Sequence, residues 1–176
     1  MAEDDAMRRV LVLGCAGAGK STLARRMAAA LALPLIELDS VFWRPGWVQA
    51  PREEFRDAVA RLAATPAWVM DGNYRFTFDL RLPAADTIVF LDLPRRICMW
   101  RVIMRTVIGY GRTRAGLPQD CPERFNWEFL NFVWNFHAEH RPQFASLLAN
   151  RPGHSRLHRL ESPQEVERFL SQIERR

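Results

Sequence analysis

Residues 14–21 read Gly-Cys-Ala-Gly-Ala-Gly-Lys-Ser, with the spacing G-x-x-x-x-G-K-S. That spacing suits one chemistry, the cradling of a chain of phosphates. Glycines let the backbone turn so that its N–H groups face inward. A lysine after the last glycine reaches the outer phosphates, and the serine hydroxyl can hold Mg2+. Gly14, Cys15, Ala16, Gly17, Ala18, Gly19, Lys20, Ser21 and Thr22 are therefore the expected phosphate-binding residues. Lys20 is the only lysine in a chain that otherwise uses arginine. A broad guanidinium would crowd so tight a turn, whereas an ammonium on a thin stem fits it. A dinucleotide fingerprint starting at Gly14 would need glycine where Ala16 stands.

Other residues could complete such a site. Asp71 ends the apolar run "AWVM", the place for a carboxylate that shares the Mg2+ shell with Ser21. It also precedes Gly72-Asn73, a good turn. Asp92 ends another apolar run and competes for the metal role, although Pro94 and arginines follow it directly. Asp39 closes "LIEL" and could orient or deprotonate an acceptor hydroxyl, or simply terminate a strand. Arg101 and Arg105 stand four apart, so they share one face of a helix. They could close over a transferring phosphoryl group or form a solvated basic face. Arg75, four residues after Asp71, is a third candidate clamp. Trp43 and Trp47 flank Pro45-Gly46 and could stack on an acceptor ring or simply pack. His137 and His140 are three apart without a third ligand, which argues against a metal site there.

Positioning these groups requires elements at defined places. "RRVLVL", residues 8–13, reads as a buried strand leading into the glycine turn, with a helix from about Lys20 to Leu31. "LIEL" is a second strand, "FWRPGW" a turn, and Pro51 opens a helix at a position where its missing N–H costs nothing. "AWVM" and "DTIVFL" are the third and fourth strands. An arginine-rich helix from about Arg95 gives way to a Gly/Pro loop at 109–122, and the segment from about 95 to 122 reads as a mobile lid. An aromatic helix from about Glu123 serves as core. "SRLHRL" is the fifth strand, and Ser162, Pro163 and Glu165 form a capping box for the last helix. Alternating strands and helices predict one α/β domain over 1–176, a parallel sheet covered on both faces.

The chain is 176 residues long with a net charge of +5. A basic balance suits nucleic acid or a phosphorylated small molecule. The charge concentrates at residues 95–114, where six arginines occur without an acid. No helix-turn-helix or zinc-finger pattern is present, so nucleic-acid binding has no motif behind it. No apolar run is long enough to span a bilayer. The acidic start "MAEDDAM" lacks a signal-peptide core, and three irregularly spaced cysteines suggest no disulfide framework. A cytoplasmic monomer or homodimer is the expectation.

The stretches "GCAGAGKSTLA", "LDSVFWRPGW", "DGNYR", "LDLPRR" with "WRVIMR", and "RFNWEFLNFVWNF" resemble the bacterial topology modulation proteins. That family is described as adenylate-kinase-related P-loop proteins. The resemblance implies a nucleoside monophosphate kinase-like P-loop NTPase fold, with a five-stranded parallel sheet of order 2-3-1-4-5 and an arginine-rich lid. It aligns Asp71, Gly72 and Arg75 with an aspartate-glycine-x-x-arginine motif of adenylate kinase, and Arg101 and Arg105 with its lid arginines. It also places Glu161-Ser162-Pro163 near a base. Asn73, Tyr74 and Asp79 depart from the adenylate-kinase pattern and point away from AMP as acceptor.

Two functions follow as expectations. One is a kinase that binds ATP and Mg2+ and passes the γ-phosphoryl group to a small-molecule or nucleotide acceptor through Lys20, Asp39, Arg75, Arg101 and Arg105. The other is a nucleotide-dependent regulator of a DNA or protein partner with weak NTPase activity.

Overall fold

The computed structural model describes residues 7–175, so the acidic start 1–6 lies outside the described residues. Strand β1 (Arg9–Gly14) runs through the centre of the sheet. Its Val10, Leu11, Val12 and Leu13 are wholly buried. A continuous apolar run is the mark of a parallel strand covered on both faces. β1 lies between β5 (Trp68–Asp71) and β6 (Thr87–Leu91), both parallel to it. β2 (Leu35–Glu37) pairs outside β5, and β7 (Arg156–Leu160) outside β6. The order is β2-β5-β1-β6-β7, all parallel, which is the predicted 2-3-1-4-5 once a small hairpin is set aside. That hairpin pairs β3 (Trp43–Arg44) with β4 (Val48–Gln49) around the Pro45-Gly46-Trp47 tip.

The register aligns the functional end of the sheet. Asp71 stands opposite Val12 of β1 and Glu37 of β2, and Gly14 stands opposite Leu91. The carboxyl ends of three strands therefore open on one crevice, where open α/β sheets bind ligands.

Helix α1 (Lys20–Leu31) starts immediately after the glycine turn and buries Leu23, Ala24, Met27 and Ala28. It ends at Ala32, in the left-handed region at φ 52°, ahead of Pro34. "LIEL" is extended only to Glu37, because α2 (Leu38–Phe42) begins there and carries Asp39 in its first turn. α3 (Arg52–Ala63) follows Pro51 as expected. A 3-10 turn, Arg75–Thr77, leads into α4 (Phe78–Arg81). α8 (Pro163–Glu174) covers α1, where Arg26 bonds Glu167 at 2.8 Å and Glu174 at 2.9 Å. Ser162 caps α8 by accepting from Glu165 N–H at 3.2 Å, while the Glu165 carboxylate returns to Glu161 N–H at 2.7 Å.

The predicted lid divides in two. α5 (Arg95–Gly109) buries Cys98, Val102 and Thr106, so it belongs to the packed body. Only the segment after it, 110–126, crosses the crevice. α6 (Trp127–Glu139) starts later than expected, because Asn126 caps it by accepting from Phe129 N–H at 3.0 Å. α7 (Arg141–Ala149) follows with a break at His140, since Pro142 suits the first turn of a new helix and not the interior of an old one. No helix among the described residues is long and apolar enough to cross a membrane.

Candidate phosphoryl-transfer site

The turn from β1 to α1 has the shape the glycine spacing demands. Gly14 adopts φ 145°, and a Cβ there would meet Leu91 O at 2.5 Å. Gly17 adopts φ 79°, and a Cβ there would collide with the Cys98 carbonyl of α5. Both positions exclude a side chain, so the turn can lie flat between β6 and α5. The first turn of α1 carries no acidic residue, leaving its N–H groups and dipole for an anion. Lys20 Nζ lies over the turn and donates to Cys15 O at 3.1 Å.

Ser21 Oγ donates to Asp71 Oδ2 at 2.5 Å. Asp71 Oδ1 is buried and has no hydrogen-bond partner. Burial pushes the Asp71 carboxyl above the ordinary carboxylate range, against the opposing pull of Lys20 and of the Ser21 hydrogen bond. An orphaned buried oxygen beside a serine hydroxyl at a phosphate turn is a donor set that fits Mg2+. Asp92 has no such free oxygen among the described residues. Its side chain is only 1% exposed and is held by Arg141 at 2.8 Å and by Arg159. Asp92, which the sequence ranked behind Asp71 because Pro94 and arginines follow it, is thus also set apart by its partners.

Asp39 faces the phosphate turn across the crevice. It accepts from Tyr74 Oη at 2.7 Å and from Arg114 at 3.0 Å. Burial, and then the Asp39 charge, push the Tyr74 phenol up, so it stays a donor at neutral pH. Tyr74 sits at φ 24°, in a turn that Arg81 clamps. The buried Arg81 guanidinium donates to Gly72 O at 2.8 Å, Asn73 O at 2.6 Å and Tyr74 O at 3.1 Å. Burial pulls its pKa down to about 9, which leaves it charged at neutral pH. Asn73 ties the same turn to the phosphate loop, accepting from Gly14 N–H at 3.2 Å and donating to Gly14 O at 2.8 Å.

The arginines of α5 reach in from the other side. Arg101 donates to Ala18 O at 3.2 Å, on the phosphate turn itself. Arg105 lies 3.2 Å from Glu123, a buried acid that also stands 3.8 Å from Arg114. Burial, and then Arg114, hold the Arg105 pKa below the usual guanidinium value.

Lys20, Ser21, Asp39, Asp71, Arg101 and Arg105 all line one cleft of about 1070 Å³. Arg75 does not join them. It is exposed at the start of the 3-10 turn, beside Phe76, Phe78 and Phe144. Asn73 and Tyr74, noted from the sequence only as departures from the adenylate-kinase pattern, also line the cleft, as do Glu37, Arg114 and Glu123, which the sequence did not single out. Of these, Glu37 carried the one available signal, a carboxylate at the end of a predicted strand. Burial raises its pKa, opposed by Arg25 at 2.6 Å and reinforced by Asp71 and Asp39. The far end of the cleft is apolar, walled by Phe129, Phe132, Pro163, Val166 and Leu170. Pro163 belongs to the segment expected near a base.

No family model and no curated protein sequence matches the chain. Solved structures do. The chain superposes on the shikimate kinase of Acinetobacter baumannii, in complex with shikimate, with a TM-score of 0.61 at 14% identity, covering 96% of this chain and 92% of that one. It superposes on the shikimate kinase of Bacteroides thetaiotaomicron with a TM-score of 0.60 at 17% identity, covering 97% and 98%. The chain has the α/β P-loop kinase fold, a parallel five-stranded sheet flanked by helices, over nearly its whole length.

Proposed function

We propose that this protein is an ATP-dependent kinase that transfers the γ-phosphoryl group to a hydroxyl of a small acceptor. The observation that carries the reading is the cleft itself, with a phosphate turn on one wall, Asp39 on the other and Arg101 and Arg105 between them. Its volume of about 1070 Å³, at the upper end of the range for single-ligand pockets, leaves room for a nucleotide beside a small second molecule. The phosphate turn and Lys20 bind the triphosphate, and the apolar end takes the base. Mg2+, held through Ser21 and Asp71, would screen the charge on the outer phosphates. Asp39 takes the proton of the acceptor hydroxyl. The freed oxygen lone pair forms the new O–P bond, and the bridging P–O bond breaks with its electrons leaving on ADP. Arg101 and Arg105 face the charge that spreads over the transferring group.

The test is ADP formation from Mg·ATP with pools of nucleosides, nucleoside monophosphates and hydroxylated metabolites, shikimate among them, with Lys20→Met as the blank. A pool that accelerates ADP release in the native protein alone supports the reading. Release unchanged by every pool sinks it.

A second reading keeps the topology modulation resemblance and the regulator it suggested. It draws on α5, whose inner face brings Arg101 and Arg105 to the nucleotide cleft while its outer face exposes Trp100, Val107 and Ile108. A nucleotide that moves the arginines would be felt on that outer face. Retardation of labelled DNA that changes with ATP supports this reading. No retardation at low salt, with or without ATP, removes its nucleic-acid form.

A further inference from the structure

We infer that the outer face of α5, with the aromatic residues that follow it, docks on the surface of a lipid bilayer that carries anionic headgroups. The inference goes beyond the kinase reading and does not depend on it.

The first argument is the helix itself. A helix on a protein surface turns a polar face outward, and a large exposed apolar patch marks an interaction site. α5 buries Cys98, Val102 and Thr106 on its inner face and brings Arg101 and Arg105 to the cleft. Opposite the buried face, helical spacing gathers Trp100, Met104, Val107 and Ile108. Trp100 is 63% exposed and Ile108 72%. The patch continues past the helix. The rings of Tyr110 and Phe125 lie 6.3 Å apart, and Trp127, the first residue of α6, is 83% exposed. Of the large apolar residues exposed among the described residues, all but Val48 fall between Trp100 and Trp134. None of Trp100, Val107, Ile108, Tyr110, Phe125 and Trp127 lines the cleft, so a bound nucleotide would not account for them.

The second argument is charge, and it selects the partner. Residues 93–119 contain six arginines and no acid. Arg96 stands one turn before Trp100 on the same stripe, and Arg112 follows the end of the helix. Both are exposed, and neither guanidinium has an ion-pair partner among the described residues. Asp92, before this stretch, is buried, and the exposed acids after it, Asp120 and Glu128, lie outside the helix. A second copy of this chain would bring arginine to arginine whether α5 met α5 parallel or antiparallel, because a cation sits at each end of the face. Nucleic acid would satisfy the arginines but leave Val107 and Ile108 against charged phosphates. A bilayer with anionic headgroups suits both. Aliphatic side chains enter the acyl boundary, tryptophan and tyrosine lie at headgroup level, and arginines meet the lipid phosphates. At 15 residues α5 is too short to cross, so it lies along the surface.

The test is sedimentation of the full chain with vesicles of phosphatidylcholine alone and of phosphatidylcholine mixed with phosphatidylglycerol. Beside it runs quenching of tryptophan fluorescence by lipids brominated in their acyl chains. The expected result is binding to the mixed vesicles that salt weakens, with bromine quenching that falls when Trp100→Phe and Trp127→Phe are combined. Val107→Ser with Ile108→Ser should weaken binding by roughly 10-fold or more. Arg96→Gln and Arg112→Gln should each weaken it by roughly 5-fold. All these side chains but Arg96 and Arg112 are apolar and every one is exposed, so an unchanged Tm shows that the variants fold. No sedimentation with the mixed vesicles overturns the inference. Binding without bromine quenching, which marks contact by charge alone, also overturns it, as does binding that the paired serine variant leaves intact. If vesicles are not bound, a dimer in solution that Ile108→Ser disperses gives the face to a second copy. Labelled DNA retarded by the native chain and not by Arg96→Gln with Arg112→Gln gives it instead to nucleic acid.

Discussion

Ser21 Oγ and Asp71 Oδ2 stand 2.5 Å apart, joining the first turn of α1 to the end of β5, while Asp71 Oδ1 is buried without a partner. The protein thus keeps a desolvated carboxylate at its phosphate turn. The native pKa of Asp71 lies above its unfolded value of 3.8. The folded state therefore holds the proton more tightly than the unfolded one. Stability from this group falls as pH rises from 3.8 through the raised native pKa, and stays lost above it. Asp71→Asn removes that penalty while keeping an acceptor for Ser21. It should raise the Tm of the nucleotide-free protein at pH 7.5 by about 2–4 °C, the equivalent of about 1 kcal/mol at this chain length. It should also abolish the extra stabilisation that Mg·ATP gives over ATP alone. Melting curves with and without Mg2+ check both, and a lowered Tm with the Mg2+ effect intact would contradict the assignment.

In the proposed kinase reading, Asp39 is the acceptor-side counterpart. Asp39→Asn should lower kcat by about 10²–10⁴, the usual worth of a positioned general base, with ATP affinity unchanged. Tyr74→Phe removes the 2.7 Å hydrogen bond to Asp39 and should lower kcat less, because the base remains. Steady-state rates and ATP titrations on both variants decide the matter. Equal kcat in Asp39→Asn and the native protein would remove Asp39 from the chemistry.

The tight glycine turn between β1 and α1 was legible because its residues are contiguous and its glycines have one steric reason each. The strand order was legible because each strand is a short apolar run bounded by turn residues. Partners distant in sequence were not. Asp71 and Asp92 end similar apolar runs, and what separates them is Arg141 and Arg159, brought in from the α6–α7 break and from β7. Arg75 matched a spacing, yet the 3-10 turn that starts there rotates it outward, and Arg81 becomes the arginine that grips the 72–74 turn. Arg114 lies in a segment without any period, so no pattern could bring it to Asp39. The predicted lid was too long because the α5 arginines drew attention from Cys98, Val102 and Thr106, which pack inward.

Arg101 and Arg105 should fail in different ways. Arg101 touches only the backbone at Ala18 O among its hydrogen bonds in the described residues, so Arg101→Ala should leave Tm within about 1–2 °C while lowering kcat by about 10³ or more. Arg101→Lys should restore little, since the planar fork is what spans two oxygens. Arg105→Ala should lower the Tm as well, because it strips the nearer partner from Glu123, whose side chain is only 8% exposed. Thermal melts beside single-turnover rates separate the two, and an identical stability loss in both variants would refute the distinction.

Asp92 supplies the opposite case to Asp71. Its carboxylate is held on one side by Arg141 and on the other by Arg159, at the junction of β6, β7 and α7. Asp92→Asn should destabilise the fold by up to about 3 kcal/mol. The cost stays at the low end because Arg141 and Arg159 keep 42% and 46% of their side-chain surface in water and can be resolvated. Urea unfolding should show a lower midpoint at an unchanged slope. The folded fraction should keep its kcat and its Mg2+ dependence, because neither Arg141 nor Arg159 lines the cleft. A loss of Mg2+ dependence in this variant, and not in Asp71→Asn, would transfer the metal role to Asp92.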